Sequence, residues 1–175
     1  MRKTLLTLSL TILGANALWA DSAGGLNWDA PAGWKAQTRP MRAANYIVPP
    51  AAGDADAGEC AVFYFGPGQG GGVEANVQRW IGQFQTAAGG PAGASAKRSS
   101  KTINGIKVTM VDVEGTYLFK PAPMSPRTVP KPGYRMLAAI AEGPDAPIFF
   151  KLTAPKKTAD SVEAKFNTML GSLTK

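Results

Sequence analysis

Cys60-Ala61-Val62-Phe63-Tyr64-Phe65 is the stretch whose pattern decides the architecture. Successive side chains of a strand point to opposite faces, and here both sets are apolar: Ala61, Phe63 and Phe65 on one parity, Cys60, Val62 and Tyr64 on the other. A strand apolar on both faces needs cover on both. Leu137 to Ala141 and Ile148 to Phe150 repeat the pattern, so the sheet they build is expected to lie between two layers.

Two segments can supply those layers. Between Val73 and Ala88, the residues Val73, Val77, Trp80, Ile81 and Phe84 recur at the spacing of one helical face. Val162, Phe166, Met169, Leu170 and Leu173 do the same, with Thr158 or Asp160 as the expected N-cap and Gly171 near the C-terminal end. Strands are expected over 42–48, 97–103, 106–119, 134–142 and 148–154, with turns at Asn104-Gly105 and Gly143-Pro144-Asp145. Trp28 and Trp34 flank a Pro/Gly turn between two short strands and read as core anchors, while 89–100, rich in Gly, Ala and Ser, reads as a flexible connection. Strands that mostly return by hairpins, with one helix inserted after the fourth and one at the end, predict an α+β fold. Its form is a mainly antiparallel sheet with one amphipathic helix on each face, an α-β-α sandwich.

The first twenty residues read as a signal peptide: Arg2 and Lys3, the apolar run Leu5 to Leu13, then small residues at Ala15-Asn16-Ala17 and Ala20. The run is too short to span a bilayer, no second apolar span follows, and the single cysteine, Cys60, is far from any lipid-acceptor position. The expectation is an exported chain, periplasmic or secreted and not membrane-spanning, with 21–175 as one domain. Without Arg2 and Lys3 the formal charge falls from +7 to +5. For an exported chain that basic balance points to an envelope or periplasmic protein, an acidic polysaccharide or an anionic lipid surface rather than nucleic acid.

Chemistry is constrained from the start, because the sequence contains no histidine. That removes the usual base near neutral pH, the Ser-His and Cys-His pairs and the commonest zinc ligand. Cys60 has neither a histidine nor a C-x-x-C neighbour and reads as a small core hydrophobe.

The Pro31-x-Gly33-Trp34 turn is followed by a Gly-rich segment leading into a helix with Asn76 and Arg79-Trp80. A strand from Phe149 to Pro155 then precedes the closing helix. In this order the motifs resemble exported bacterial proteins of unknown function whose fold is similar to the PsbP-like sandwich of an extrinsic photosystem II subunit. The resemblance implies an accessory or adaptor habit, since members bind other proteins and the photosystem subunit helps retain inorganic ions. It carries over no catalytic residue and no cofactor.

Three segments hold candidate sites. Residues 120–135 carry five prolines with Lys120, Met124, Arg127, Lys131, Tyr134 and Arg135, and a stiff basic loop of that kind is a reasonable partner-binding surface. Gly70, Gly71 and Gly72 lead into the first helix, where backbone N–H groups can hold an anion, although the run continues Val73-Glu74 and not Lys-Ser/Thr as a P-loop would. Asp54, Asp56 and Glu59 are close enough in sequence to approach a calcium ion, with a solvated acidic loop as the plainer reading. Asp112 with Glu114, and Ser99 or Ser100 with Lys101, raise a carboxylate or Ser-Lys hydrolase as a remote alternative. Each pair reads as a polar strand surface. The leading expectation is a non-enzymatic binding module using the basic loop; the first alternative is a carrier of calcium or a small anion.

Overall fold

The computed structural model describes residues 20–121 and 125–175. The expected signal peptide lies outside these residues except for Ala20, which pairs with Asp29, and Met124 lies outside them too.

A small hairpin, β1 (Ala20–Ala23) and β2 (Leu26–Asp29), stands apart from the main sheet. The main sheet has eight strands: β3 (Lys35–Ala36), β4 (Ala44–Val48), β5 (Gly58–Tyr64), β6 (Phe84–Gln85), β7 (Lys97–Ile103), β8 (Ile106–Phe119), β9 (Val129–Glu142) and β10 (Pro147–Pro155). Its order is β3-β4-β5-β10-β9-β8-β6, with β7 pairing β8 beside β6, and every pairing is antiparallel. Helix α1 (Val73–Ile81) follows β5, and α2 (Lys156–Gly171) closes the fold. This is the expected mixed fold.

Alternate residues of the central strands feed two separate cores. Ile148, Phe150 and Leu152 of β10 join Leu137, Ala139 and Ala141 of β9 under Val162, Phe166, Met169 and Leu170 of α2, with Trp28 and Trp34 in the same cluster. Phe149 joins Met136, Ala138 and Ile140 under Val77, Trp80 and Ile81 of α1. The period of two in the strands and the helical stripes therefore meet as expected, one helix per face.

Four expectations are corrected. Helix α1 ends at Ile81, not near Ala88: Gly82 caps it, and Phe84 leaves the helix to pair with Tyr117 of β8. Residues 89–100 are ordered, with a 3-10 turn over Ala92–Ser95, a buried Ala92 and then β7. The second half of the proline-rich stretch is strand, because β9 starts at Val129 and not at Tyr134. From Val129 to Lys131 it pairs with β8 alone, and an edge tolerates Pro130 and Pro132, whose missing N–H would break an interior ladder. Finally, neither Thr158 nor Asp160 caps α2. Both lie inside it, and the Thr158 N–H and hydroxyl donate to Asp54 Oδ2 at 2.9 and 2.7 Å, so a loop carboxylate distant in sequence does the capping.

Candidate functional site

The structure disperses the residues singled out in the sequence. Asp54 is held on α2, Asp56 accepts from Lys131 and Tyr134, and Glu59 pairs with Arg42 at 2.8 Å, so the three carboxylates have three different partners. Among the described residues no three Asp, Glu, Cys or His side chains converge as a metal site. In the glycine run, the Gly70 and Gly72 carbonyls accept from Asn76 Nδ2 at 2.7 and 3.0 Å. A Cβ on Gly70, whose φ is +86°, would meet Phe65 and Phe149 at 2.9 to 3.0 Å. The run is a tight link packed on the core, with Gly71 and Gly72 exposed at its end.

The basic candidates separate into three groups. Lys120 and Arg127 are exposed in the connection between β8 and β9. Arg135 points to the α2 face and is 11% exposed; it donates twice to Asp112 at 2.9 Å and once each to Asp160 and Glu163 at 2.8 Å. These bonds, from the Asp112 pair first, hold the guanidinium well above its ordinary pKa. A polar groove of about 320 Å³ beside it is lined by Lys97, Glu114, Lys156 and Asp160, charges that answer one another. Arg135 therefore ties β9, β8 and α2 together. Asp112 and Glu114, paired with Arg135 and Lys156, are part of the same network. Ser99 and Ser100 are exposed on β7.

Lys131 and Tyr134 belong to a different constellation on the α1 face. At 1.5 Å per residue α1 is about 13 Å long, whereas the seven adjacent strands span about 29 Å. Much of that face is left without a helix, and the side chains there are aromatic or cationic. Phe84, Tyr117 and Tyr134 stack in series, with ring centroids 5.2 and 6.1 Å apart, and Phe119 leans on Tyr117 at 6.2 Å. Lys151 Nζ lies 5.2 Å from the Tyr117 centroid, and Lys131 Nζ lies 5.2 Å from Tyr134 and 5.6 Å from Phe119. Arg42 stands 5.5 Å over Phe63, which stacks on the exposed Phe65. Cations over ring faces are favourable by about 0.5–2 kcal/mol each, more where water is excluded.

The electrostatics follow from these contacts. Lys131 donates to Asp56 Oδ2 at 2.8 Å and Tyr134 donates to the same oxygen at 2.6 Å, which lowers the Asp56 carboxyl and raises the Lys131 ammonium. Burial raises the phenols of Tyr117 and Tyr134. Lys151, half-buried on the central strand β10, is depressed to about 8, first by desolvation, then by the charge of Arg79, with Arg42 adding to that and Glu59 opposing it.

Sequence reading singled out Lys131 and Tyr134 of this group but not Lys151 or Tyr117, because it read 148–154 only as a strand whose first three residues are apolar on both faces. Lys151 and Thr153 interrupt that run on a single parity, and Glu59 sits on the same face of the neighbouring β5. Polar residues at every second position of a central strand mark a face only partly covered.

No family model and no curated protein matches the chain. Among solved structures, the solution structure of cyanobacterial PsbP (CyanoP) from Synechocystis sp. PCC 6803 is similar, with a TM-score of 0.54 at 14% identity over 95% of this chain and 96% of that one. The fold is PsbP-like. At that identity the PsbP-like likeness describes the layered architecture and carries no site residue across. No helix among the described residues is long and apolar enough to cross a membrane.

Proposed function

We propose that this chain is an exported, non-enzymatic accessory module that docks on another envelope protein with the uncovered end of its α1 face. The observation that carries the reading is the half-buried pair Tyr117 and Phe119 with Lys131 and Lys151 over these rings, backed by the buried Phe84 and Tyr134 and followed along the chain by the exposed Lys120 and Arg127. Aromatic and cationic side chains clustered at a half-buried surface have the composition of binding hot spots. A histidine-free sequence favours binding over catalysis, and the likeness to a PsbP protein is in keeping with an accessory habit.

The docking element is narrower than the sequence suggested: Lys131 and Tyr134 remain in it and Arg135 does not, since its donors are committed to the opposite face. The test is site-specific photocrosslinking in the host cell from position 127, with position 100 on β7 as a control. A discrete adduct formed from 127 alone, and lost on Lys131→Glu, supports the reading. Identical patterns from both positions would refute it.

A further inference from the structure

Among the described residues only two large apolar side chains are exposed, Met41 at 79% and Phe65 at 41%. Single exposed apolar residues are ordinary, so what matters is that these two share a place. The Ala43 N–H donates to the Val62 carbonyl at 2.9 Å, which brings the turn 37–43 that enters β4 against the chain that leaves β5. Arg42, next to Met41, lies 5.5 Å over the ring of Phe63, and Phe63 stacks on Phe65 at 5.9 Å. Met41 and Phe65 therefore flank one small cluster, and the exposed Pro40 and Pro67 extend it. Met41 has φ +62°, in the left-handed region that few residues other than glycine adopt, with its side chain in solvent.

The charges around this tip have one sign. The turn 37–43 carries Arg39 and Arg42, segment 65–72 carries no charge, and neither contains a carboxylate. Arg42 is answered by Glu59. Arg39 is exposed and joins no salt bridge among the described residues, and the exposed Lys35 stands close by on β3. Of the carboxylates at the same end of the sheet, Glu142 is paired with Lys107 at 3.0 Å, and Asp145 sits beside Gly25 between β1 and β2, in the α2 layer. Apolar side chains bordered by unpaired cations suit an anionic bilayer: the former enter the acyl boundary while the latter stay among the phosphates.

We propose that this tip, Met41 and Phe65 with Arg39, attaches the protein peripherally to an anionic phospholipid bilayer. The attachment goes beyond protein docking and uses another part of the molecule. Tyr64 pairs with Ile148 at the start of β10, whereas Tyr134 pairs with Pro155 at its end, so the lipid tip and the docking surface stand at opposite ends of the sheet. A chain seated on lipid by the first holds the second out toward a partner.

The test is co-sedimentation of residues 20–175 with vesicles of equal parts phosphatidylglycerol and phosphatidylcholine, and with vesicles of phosphatidylcholine alone. Residues 20–175 keep every strand and helix described and omit the apolar run Leu5 to Leu13, which would partition into lipid by itself. The anionic vesicles should bind the protein, less so as salt is raised, and the neutral ones far less. Met41→Asn, which suits the left-handed backbone, and Phe65→Gln should each lower the partition coefficient about fivefold or more. Arg39→Glu should lower it about tenfold or more. Lys131→Gln, at the docking end, should leave it within about twofold, being beyond the reach of screened charge, so failure of one reading leaves the other standing. A thermal melt checks each variant, and Met41→Asn removes no buried contact. Three results would overturn the proposal: no binding to the anionic vesicles, binding that Arg39→Glu weakens but Met41→Asn and Phe65→Gln do not, or a dimer on size exclusion that Met41→Asn dissolves, which would give the patch to a second copy of the chain.

Discussion

At the scale of the residue, the half-buried groups of the sheet make opposite demands on pH. Lys151 has a folded pKa of about 8, below the ordinary 10.5, so the unfolded chain holds the proton more tightly. The sign follows directly: Lys151 weakens the fold at pH 7, where both states are charged, and the penalty disappears as pH rises from about 8 through 10.5. Lys151→Met should accordingly be more stable than the parent at pH 7 and lose that advantage by pH 10, as read from denaturant midpoints. Asp56, Glu74 and Asp160 run the other way, their carboxyls lowered chiefly by Lys131, Arg98 and Lys156 respectively. Their contribution is present above the unfolded carboxylate value and is lost as pH falls through the folded ones. Cys60 needs no partner to be inert: burial, with Glu59 nearby, pushes its thiol up out of reach. A thiol reagent should label it only after unfolding, which a time course with and without denaturant will read.

At the scale of the element, two contacts unforeseen in the sequence decide how strands and helices join. Gly115, φ +148°, lies at the bulge where β8 shifts register between Gly115 and Tyr117, and a Cβ there would stand 2.2 Å from the Gln85 carbonyl oxygen. Gly115→Ala should cost roughly 2 kcal/mol or more by forcing β6 off β8, visible in a thermal melt and in faster amide exchange at Gln85. Asp54 is the second. Its carboxylate caps α2 from a loop about a hundred residues away in sequence, a pairing no local pattern encodes. Asp54→Ala should cost about 1 kcal/mol, the usual value of a lost cap. What was legible was whatever depended on local periodicity: the bounds of β7 and β8, the Asn104-Gly105 turn between them, and the stripes of both helices. What was not legible depended on tertiary neighbours. Phe84 keeps helical spacing but is captured by Tyr117, and Val129 to Lys131 join a strand because an edge forgives proline. The candidate site was legible only in part: Lys131 and Tyr134 stood out in the basic proline-rich stretch, whereas Lys151 and Tyr117 join them only through strand register.

At the scale of the molecule, one sheet serves two cores that share no side chain. Ile81 of α1 and Met169 of α2 pack on opposite sides of β9 and β10. Large-to-small changes at such sites cost the lost burial and the cavity left behind, about 1 kcal/mol for Ile81→Val and about 3 for Met169→Ala. Because the two have no partner in common, their costs should add to within about 0.5 kcal/mol in the double variant. Cooperativity is a separate matter. The strands are common to both layers, with Phe149 and Phe150 adjacent on β10 facing opposite ways, so losing either layer exposes apolar surface on the sheet that the other layer needs. The double variant should therefore unfold in one transition, with tryptophan fluorescence, which reports Trp80 on one side and Trp28 and Trp34 on the other, and far-UV circular dichroism giving the same midpoint. Two separated transitions, or additive costs spread over different midpoints, would mean that each helix and its half of the core is a unit of its own, with the sheet as their scaffold.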